Sequence, residues 1–326
     1  MISSNDLFTI SNHKQFEKIA LKTFRLQYQN NLVYKQFCDL INIDASKIKS
    51  LQQIPFLPIQ FFKSHQVVSN TNSIQEIFTS SGTTGIVTSQ HLVTNVTLYQ
   101  QSYRQAFAQF YGGIEDYVVL ALLPSYLDRE GSSLIYMVTD LIILTNNPES
   151  GFYLNNYDAL IEKLIYLDHQ GKNVLLIGVT YALLDLIEKQ KFQLKNTIIM
   201  ETGGMKGKRN EIIREELHQI LCDGFGVSSI HSEYGMTELL SQAYSLGDGI
   251  FECPSWMHIL IRDTEDAFSY VTNQKTGGIN VIDLANLNSC SFIATQDLGK
   301  KYDNQSFEVL GRFDNSDIRG CNLMVI

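Results

Sequence analysis

The chain has 326 residues, with 25 Lys plus Arg against 34 Asp plus Glu and a formal net charge of −9. Hydrophobic residues make up 44% and charged ones 18%, enough apolar side chain to offset chain entropy, which excludes a disordered polymer. The acidic balance argues against non-specific nucleic-acid or membrane-surface binding, and no apolar run approaches the roughly 20 residues of a membrane span.

The first residues, Met1-Ile-Ser-Ser-Asn-Asp6, lack the basic stretch and apolar core of a signal peptide. Five cysteines, at 38, 222, 253, 290 and 321, form no C-x-x-C pair. An odd count without pairs fits a reducing cytoplasm better than a disulfide framework.

The pattern from about Asn12 to Leu40 reads as helix, with a break at Asn30-Asn31. Pro55 and Pro58 bracket a connector that cannot lie inside a helix or central strand, and its aromatic residues suit pinning the N-terminal helices to the rest. Buried-strand runs follow at Tyr117–Leu122, Asn173–Gly178 and Thr197–Glu201. Amphipathic helices at Asn95–Phe110, Asn156–His169, Tyr181–Lys191 and Lys208–Leu221 separate or flank them. That alternation predicts an α/β fold with a mainly parallel sheet covered by helices. After Glu238 the texture turns to strands, at Trp256–Arg262, Phe268–Thr272, Gly278–Asp283 and Phe307–Leu310. The expected organisation is one domain over 1–326, with a helical part at 1–76, an α/β part at 77–238 and a small β-rich part at 239–326.

Three segments carry groups suited to chemistry. Ser80 through Gly85 are all Gly, Ser or Thr after a predicted strand. Small residues let backbone N–H groups approach an anion, and hydroxyls add donors, as a polyphosphate loop requires. No Gly-Lys-Ser/Thr follows, so it is not a Walker loop; a plain surface loop is the alternative. His231-Ser-Glu-Tyr-Gly-Met-Thr-Glu238 gathers a ring, a tight-turn Gly, a hydroxyl and a carboxylate, a set that suits a base, a phosphate and Mg2+. Alternatively Tyr234 is a core aromatic and Glu238 a solvated helix start. In the tail, Asp297 can accept from a ribose diol and Arg312 can fork onto oxygens, unless Thr295–Gly299 is a turn with a solvated Asp.

In this order the segments resemble the adenylate-forming superfamily of acyl-CoA synthetases, luciferases and peptide-synthetase adenylation domains. The subgroup most similar is the LuxE-type acyl-protein synthetases. The matching motifs are Ser80-Ser-Gly-Thr-Thr-Gly85, Tyr234-Gly-Met-Thr-Glu238, Asp297 and Gly311-Arg-Phe-Asp314. Pro55-Phe-Leu-Pro58, Leu123-Pro-Ser-Tyr-Leu127, Gly131-Ser-Ser-Leu134, Thr202-Gly-Gly-Met-Lys-Gly207 and Ile318-Arg-Gly-Cys321 resemble the subgroup.

The resemblance implies that a carboxylic acid attacks the α-phosphorus of ATP, giving an acyl-adenylate that a thiol then takes. Ser80, Ser81, Gly82, Thr83, Thr84 and Gly85 would cradle the β- and γ-phosphates. Gly203 and Gly204 would line adenine and Tyr234 would stack on it. Thr237 would touch the α-phosphate, Glu238 would hold Mg2+, and Asp297, with Arg312 close by, would bind the ribose. Cys321 matches the acyl-accepting cysteine of the subgroup, which passes the acyl chain to a reductase partner. Cys38, Cys222, Cys253 and Cys290 are expected as packing residues.

Two departures stand out. No Lys follows the small-residue loop, where many relatives carry Pro-Lys. The chain ends at Ile326, soon after the hinge, where most relatives continue into a lid domain with an adenylating Lys. A partner, or a second copy in a homo-oligomer, could supply that charge; loss of adenylation activity is the alternative. Three functions follow: an acyl-protein synthetase acting on a carboxylic acid of the fatty type, an acyl- or aryl-CoA ligase, or a non-catalytic nucleotide-binding scaffold for an acyl-reductase or acyl-carrier protein.

Overall fold

A computed structural model describes residues 2–69, 73–80, 88–124, 130–204, 209 and 212–313. Its first elements are helices α1 (Ser4–Phe8), α2 (His13–Asn30) and α3 (Leu32–Leu40). Phe16, Ala20, Thr23, Phe24 and Gln27 form the buried stripe of α2, at helical spacing. Asn31 closes α2 and caps α3, its Oδ1 accepting from Tyr34 N at 3.0 Å.

The proline connector supplies the two-residue strand β1 (Leu57–Pro58), then the short helix α4 (Phe61–Ser64). Phe56 meets Phe292 edge-on at 6.2 Å and Phe37 meets Phe61 at 5.8 Å, so the connector's rings tie the helices to the sheet. Strands β2 (Glu76–Thr79) and β3 (Gln90–Val93) then pair antiparallel on either side of the small-residue loop.

The chain continues through α5 (Val96–Tyr111), β4 (Val118–Leu122), α6 (Ser133–Leu144), β5 (Gly151–Phe152), α7 (Tyr157–His169), β6 (Val174–Val179), α8 (Thr180–Lys189), β7 (Thr197–Thr202), α9 (Arg214–Phe225) and β8 (His231–Tyr234). Strands β4 to β8 pair only in parallel with one another. β4 and β6 are buried along their whole length, as strands covered on both faces must be.

From β9 (Ala243–Ser245) the pairing turns antiparallel, through β10 (Ile250–Glu252), β11 (Met257–Arg262), β12 (Gly277–Asp283), β13 (Phe292–Lys301) and β14 (Phe307–Arg312). Both halves belong to one hydrogen-bonded sheet, ordered β11-β12-β13-β14-β10-β9-β8-β7-β6-β4-β5, with β1 attached to β13. The α/β architecture expected from the alternation is the one observed.

Some expectations are corrected. The segment predicted as a strand at Phe268–Thr272 holds only an isolated bridge, Arg262 to Tyr270, because Asp263 and Asp266 fold the backbone into turns around their carboxylates. The helix expected from Lys208 begins at Arg214. Arg209 is instead paired with Asp185 and Glu188 of α8, and Arg214, the cation that opens the helix, is offset by its pair with Glu201. Leu57–Pro58, read as a mere connector, pairs in parallel with Ile293 and Ala294.

Candidate functional site

The parallel strands end in a row, and two of those ends build the site. β7 runs into Gly203 and Gly204, with φ of 78° and 67°. These are left-handed conformations that only glycine adopts without strain. A Cβ on Gly204 would meet no atom of the described residues within 4 Å. Ligands of open α/β sheets bind outside such carboxyl ends.

β8 ends next door at Tyr234, whose Oη donates to Asp297 Oδ2 at 2.8 Å. β8 and β13 stand four steps apart in the sheet order, about 19 Å if it were flat. The antiparallel half must therefore coil until the two strands face each other. Phe251 of β10 and Phe307 of β14 fill the space inside the coil, meeting the Tyr234 ring at 5.9 and 5.7 Å. Tyr234 is 9% exposed and Asp297 6% exposed. Arg312 pairs with Asp297 in register across β13 and β14, and its Nε reaches Asp297 Oδ1 at 3.2 Å while the rest of its side chain stands in solvent.

Glu238 is 6% exposed, not a solvated helix start. Burial raises its carboxyl above the usual range, opposed by a hydrogen bond from Ser89. Its backbone is clamped from two sides. Asn286 Nδ2 donates to the Glu238 carbonyl at 2.8 Å, and His91 lies within 2.9 Å of the Thr237 carbonyl through Nδ1 and 3.0 Å of Asn286 Oδ1 through Nε2. Asp283 takes the N–H groups of Leu240 and Ser241, at 2.7 and 3.1 Å, just beyond Glu238.

His91 is fully buried, and burial pulls its ring down to about 4, so it is neutral at pH 7. Both of its neighbouring oxygens can only accept, because Asn286 Nδ2 is committed elsewhere. A neutral imidazole has one N–H and satisfies one of them at a time. His91, Asn286, Asp283 and Ser89 were absent from the sequence candidates. The contacts of His91 with Thr237 and of Asn286 with Glu238 span 146 and 48 residues, and no local spacing signals them.

The small-residue loop joins this clamp through its stem. Ser80 N donates to Ser89 O at 3.1 Å and Ser89 N to Ser80 Oγ at 2.9 Å. Thr79 N donates to Gly131 O at 2.7 Å. Gly131 has φ of 80°, and a Cβ there would sit 2.9 Å from both Ile77 O and Thr79 Oγ1, so glycine is required. Ser81, Gly82, Thr83, Thr84 and Gly85 lie outside the described residues, as do Tyr126, Asp314 and Cys321.

Two more carboxylates flank the strand ends. Burial would raise Glu201, but His218, Arg214 and Ser232 overcome it and hold Glu201 at about 2. Glu233, on the other face of β8, goes the opposite way. Burial pushes it up to about 7 and Glu201 adds to the rise, against a 2.6 Å hydrogen bond from Thr202. The described cysteines are not poised as thiolates. Burial pushes Cys38 and Cys253 up to about 12 and raises Cys222 and Cys290 too.

No group of three or more His, Cys, Asp or Glu side chains gathers as for a metal among the described residues, but one carboxylate suits a divalent cation. Glu238 is a buried carboxylate with no ion-pair partner within 4.0 Å among the described residues. Mg2+, a hard ion that takes oxygen ligands, would offset that burial.

The family model described as acyl-protein synthetase, LuxE, matches residues 1–119 and 127–326. A long-chain-fatty-acid–luciferin-component ligase of Vibrio harveyi is 21% identical over 340 residues, 97% of this chain and 89% of that one. A ligase of the same name from Photorhabdus luminescens is 35% identical over 71 residues, 22% of this chain and 60% of that one. The solved open conformation of 2-hydroxyisobutyryl-CoA ligase, in complex with 2-HIB-AMP and CoA, matches with a TM-score of 0.66 at 13% identity, over 93% of this chain and 70% of that one. ATP-bound MatB from Rhodopseudomonas palustris matches with a TM-score of 0.55 at 17% identity, over 75% and 49%. At these identities the structural likeness speaks for the fold.

Proposed function

The chain belongs to the LuxE family of acyl-protein synthetases, and on that premise we propose that it activates a fatty carboxylic acid with ATP and passes the acyl group to a protein thiol. In the first step a carboxylate oxygen attacks the α-phosphorus and pyrophosphate leaves. In the second a thiolate attacks the acyl carbon, and AMP leaves with the bridging oxygen.

The observation that carries the proposal is the convergence of the stem of the small-residue loop, Thr237–Glu238 and Asp297–Arg312 at the ends of β7 and β8, joined by hydrogen bonds. Ser80 through Gly85 would hold the terminal phosphates, and Gly203 and Gly204 would give the nucleotide room. Asp297 would take the ribose hydroxyls. As a residue only 9% exposed, Tyr234 serves by orienting Asp297 more than by stacking on adenine. Thr237 would meet the α-phosphate. Glu238 would hold Mg2+, which neutralises charge that develops on the phosphates. The protein's own work is positioning and charge placement.

Cys321 is the proposed acceptor, on its sequence position alone, and an acyl-reductase or acyl-carrier protein the proposed recipient. The protein is incubated with MgATP and radiolabelled fatty acid. Label on the protein, released by neutral hydroxylamine and lost in Cys321→Ala, is the expected result. Label that persists in Cys321→Ala moves the acceptor to another cysteine. Acylation of added CoA with no label on the protein would make it a CoA ligase.

A further inference from the structure

Away from the strand ends, a cavity of about 300 Å³ opens against β11 and β13. It lies about 13 Å further along β13 than Asp297, four residues at ~3.3 Å each. Lys301, 8% exposed, forms its floor. His258 of β11 lines it, and exposed residues His13, Gln52, Asn273 and Gln305 stand at its rim.

Lys301 Nζ donates to Ile259 O at 2.9 Å and to His258 Nε2 at 3.1 Å. An ammonium has three N–H groups, and the third has no partner among the described residues. Burial pulls Lys301 down to about 8, so it is still mostly charged at pH 7. Burial, then Lys301 and His13, hold His258 down at about 3, so its ring is neutral and can accept from the ammonium.

No carboxylate lines the cavity among the described residues, in a chain with a net charge of −9. Asp303 accepts from Asn273 Nδ2 at 2.7 Å but is not part of the lining. The neighbouring Lys300 behaves differently and pairs with Glu308 at 3.0 Å.

A buried ammonium without a counter-ion is costly. Here it faces a space at the small end of ligand-pocket volumes, about ten waters' worth at ~30 Å³ each. We infer that this cavity binds a small oxyanion, a phosphate or carboxylate group, with Lys301 as its charge partner and His13, Gln52 and Asn273 as donors around the mouth. The inference is independent of the nucleotide site.

The probe is inorganic phosphate, titrated into the intact protein while the imidazole signals of His13 and His258 are followed by NMR. Both should move saturably, and sodium chloride at matched ionic strength should not reproduce the movement. In Lys301→Met, an apolar near-isostere of the buried amine, the apparent affinity should fall at least tenfold. His13→Gln, a rim change that spares the core, should weaken it a few-fold. An absent response, one reproduced by chloride, or an unchanged affinity in Lys301→Met would each overturn the site.

Discussion

The Tyr234 hydroxyl lies 2.8 Å from Asp297 Oδ2, a buried hydrogen bond between residues 63 positions apart that closes the coil of the antiparallel half. Asp297 depends on it, since its other oxygen is held by an Arg312 side chain that stands in solvent. A hydrogen bond to a charged group contributes about 1.5–3 kcal/mol. Tyr234→Phe and Asp297→Ala should each destabilise, and the double variant should cost less than their sum by about 1 kcal/mol or more, because both break the same contact. Urea unfolding of the four proteins measures this. Strict additivity would mean the pair does not hold the coil.

Glu233 gives a pH signature. Its folded value of about 7 lies above the ordinary 4.5, so the native state binds its proton more tightly than the unfolded chain. The stability from that proton is complete below 4.5 and is lost as pH rises through about 7. The loss is on the order of 3 kcal/mol at 1.36 kcal/mol per unit. Glu233→Gln should therefore match the wild type near pH 4.5 and exceed it at pH 8. Stability curves that stay parallel across this range would contradict the assignment.

His91 is expected to act as a positioning residue through the Thr237 carbonyl and Asn286. His91→Ala leaves buried acceptors unpaired, at about 1–3 kcal/mol. It should raise the KM for MgATP more than it lowers kcat. His91→Asn keeps a donor near the Nδ1 position and His91→Gln one near Nε2, so each should restore part of the loss. Equal loss in all three, confined to thermal stability, would leave His91 a packing residue.

Glu238→Gln removes the charge and keeps the shape. The fold should survive, since burial already disfavours the charged carboxylate. Acid-dependent pyrophosphate exchange should fall by about 100-fold, as for loss of one charge-stabilising group. Unchanged exchange with unchanged Mg2+ dependence would remove the metal role.

Much of this was legible in the chain because local pattern and structure agree between Tyr117 and Cys222. There β4, β6 and β7 are apolar runs and the helices between them keep a 3.6-residue period. β13 was not legible. It is the longest strand, yet Thr295-Gln-Asp-Leu-Gly299 has the composition of a turn, and only pairing with β12, β14 and β1 makes it extended. The order of Tyr234, Glu238 and Asp297 was visible. The clamp of His91, Asn286 and Asp283 around Glu238 was not, since long-range hydrogen bonds leave no spacing in the sequence.

The measurement that bears most directly on the account is acid-dependent ATP–pyrophosphate exchange, run with straight-chain carboxylic acids of increasing length. Formation of an acyl-adenylate predicts label entering ATP only when an acid is present, with longer chains favoured and the signal lost in Glu238→Gln. Exchange with none of the acids, from protein that still gains thermal stability from MgATP, would contradict it and leave a nucleotide-binding scaffold.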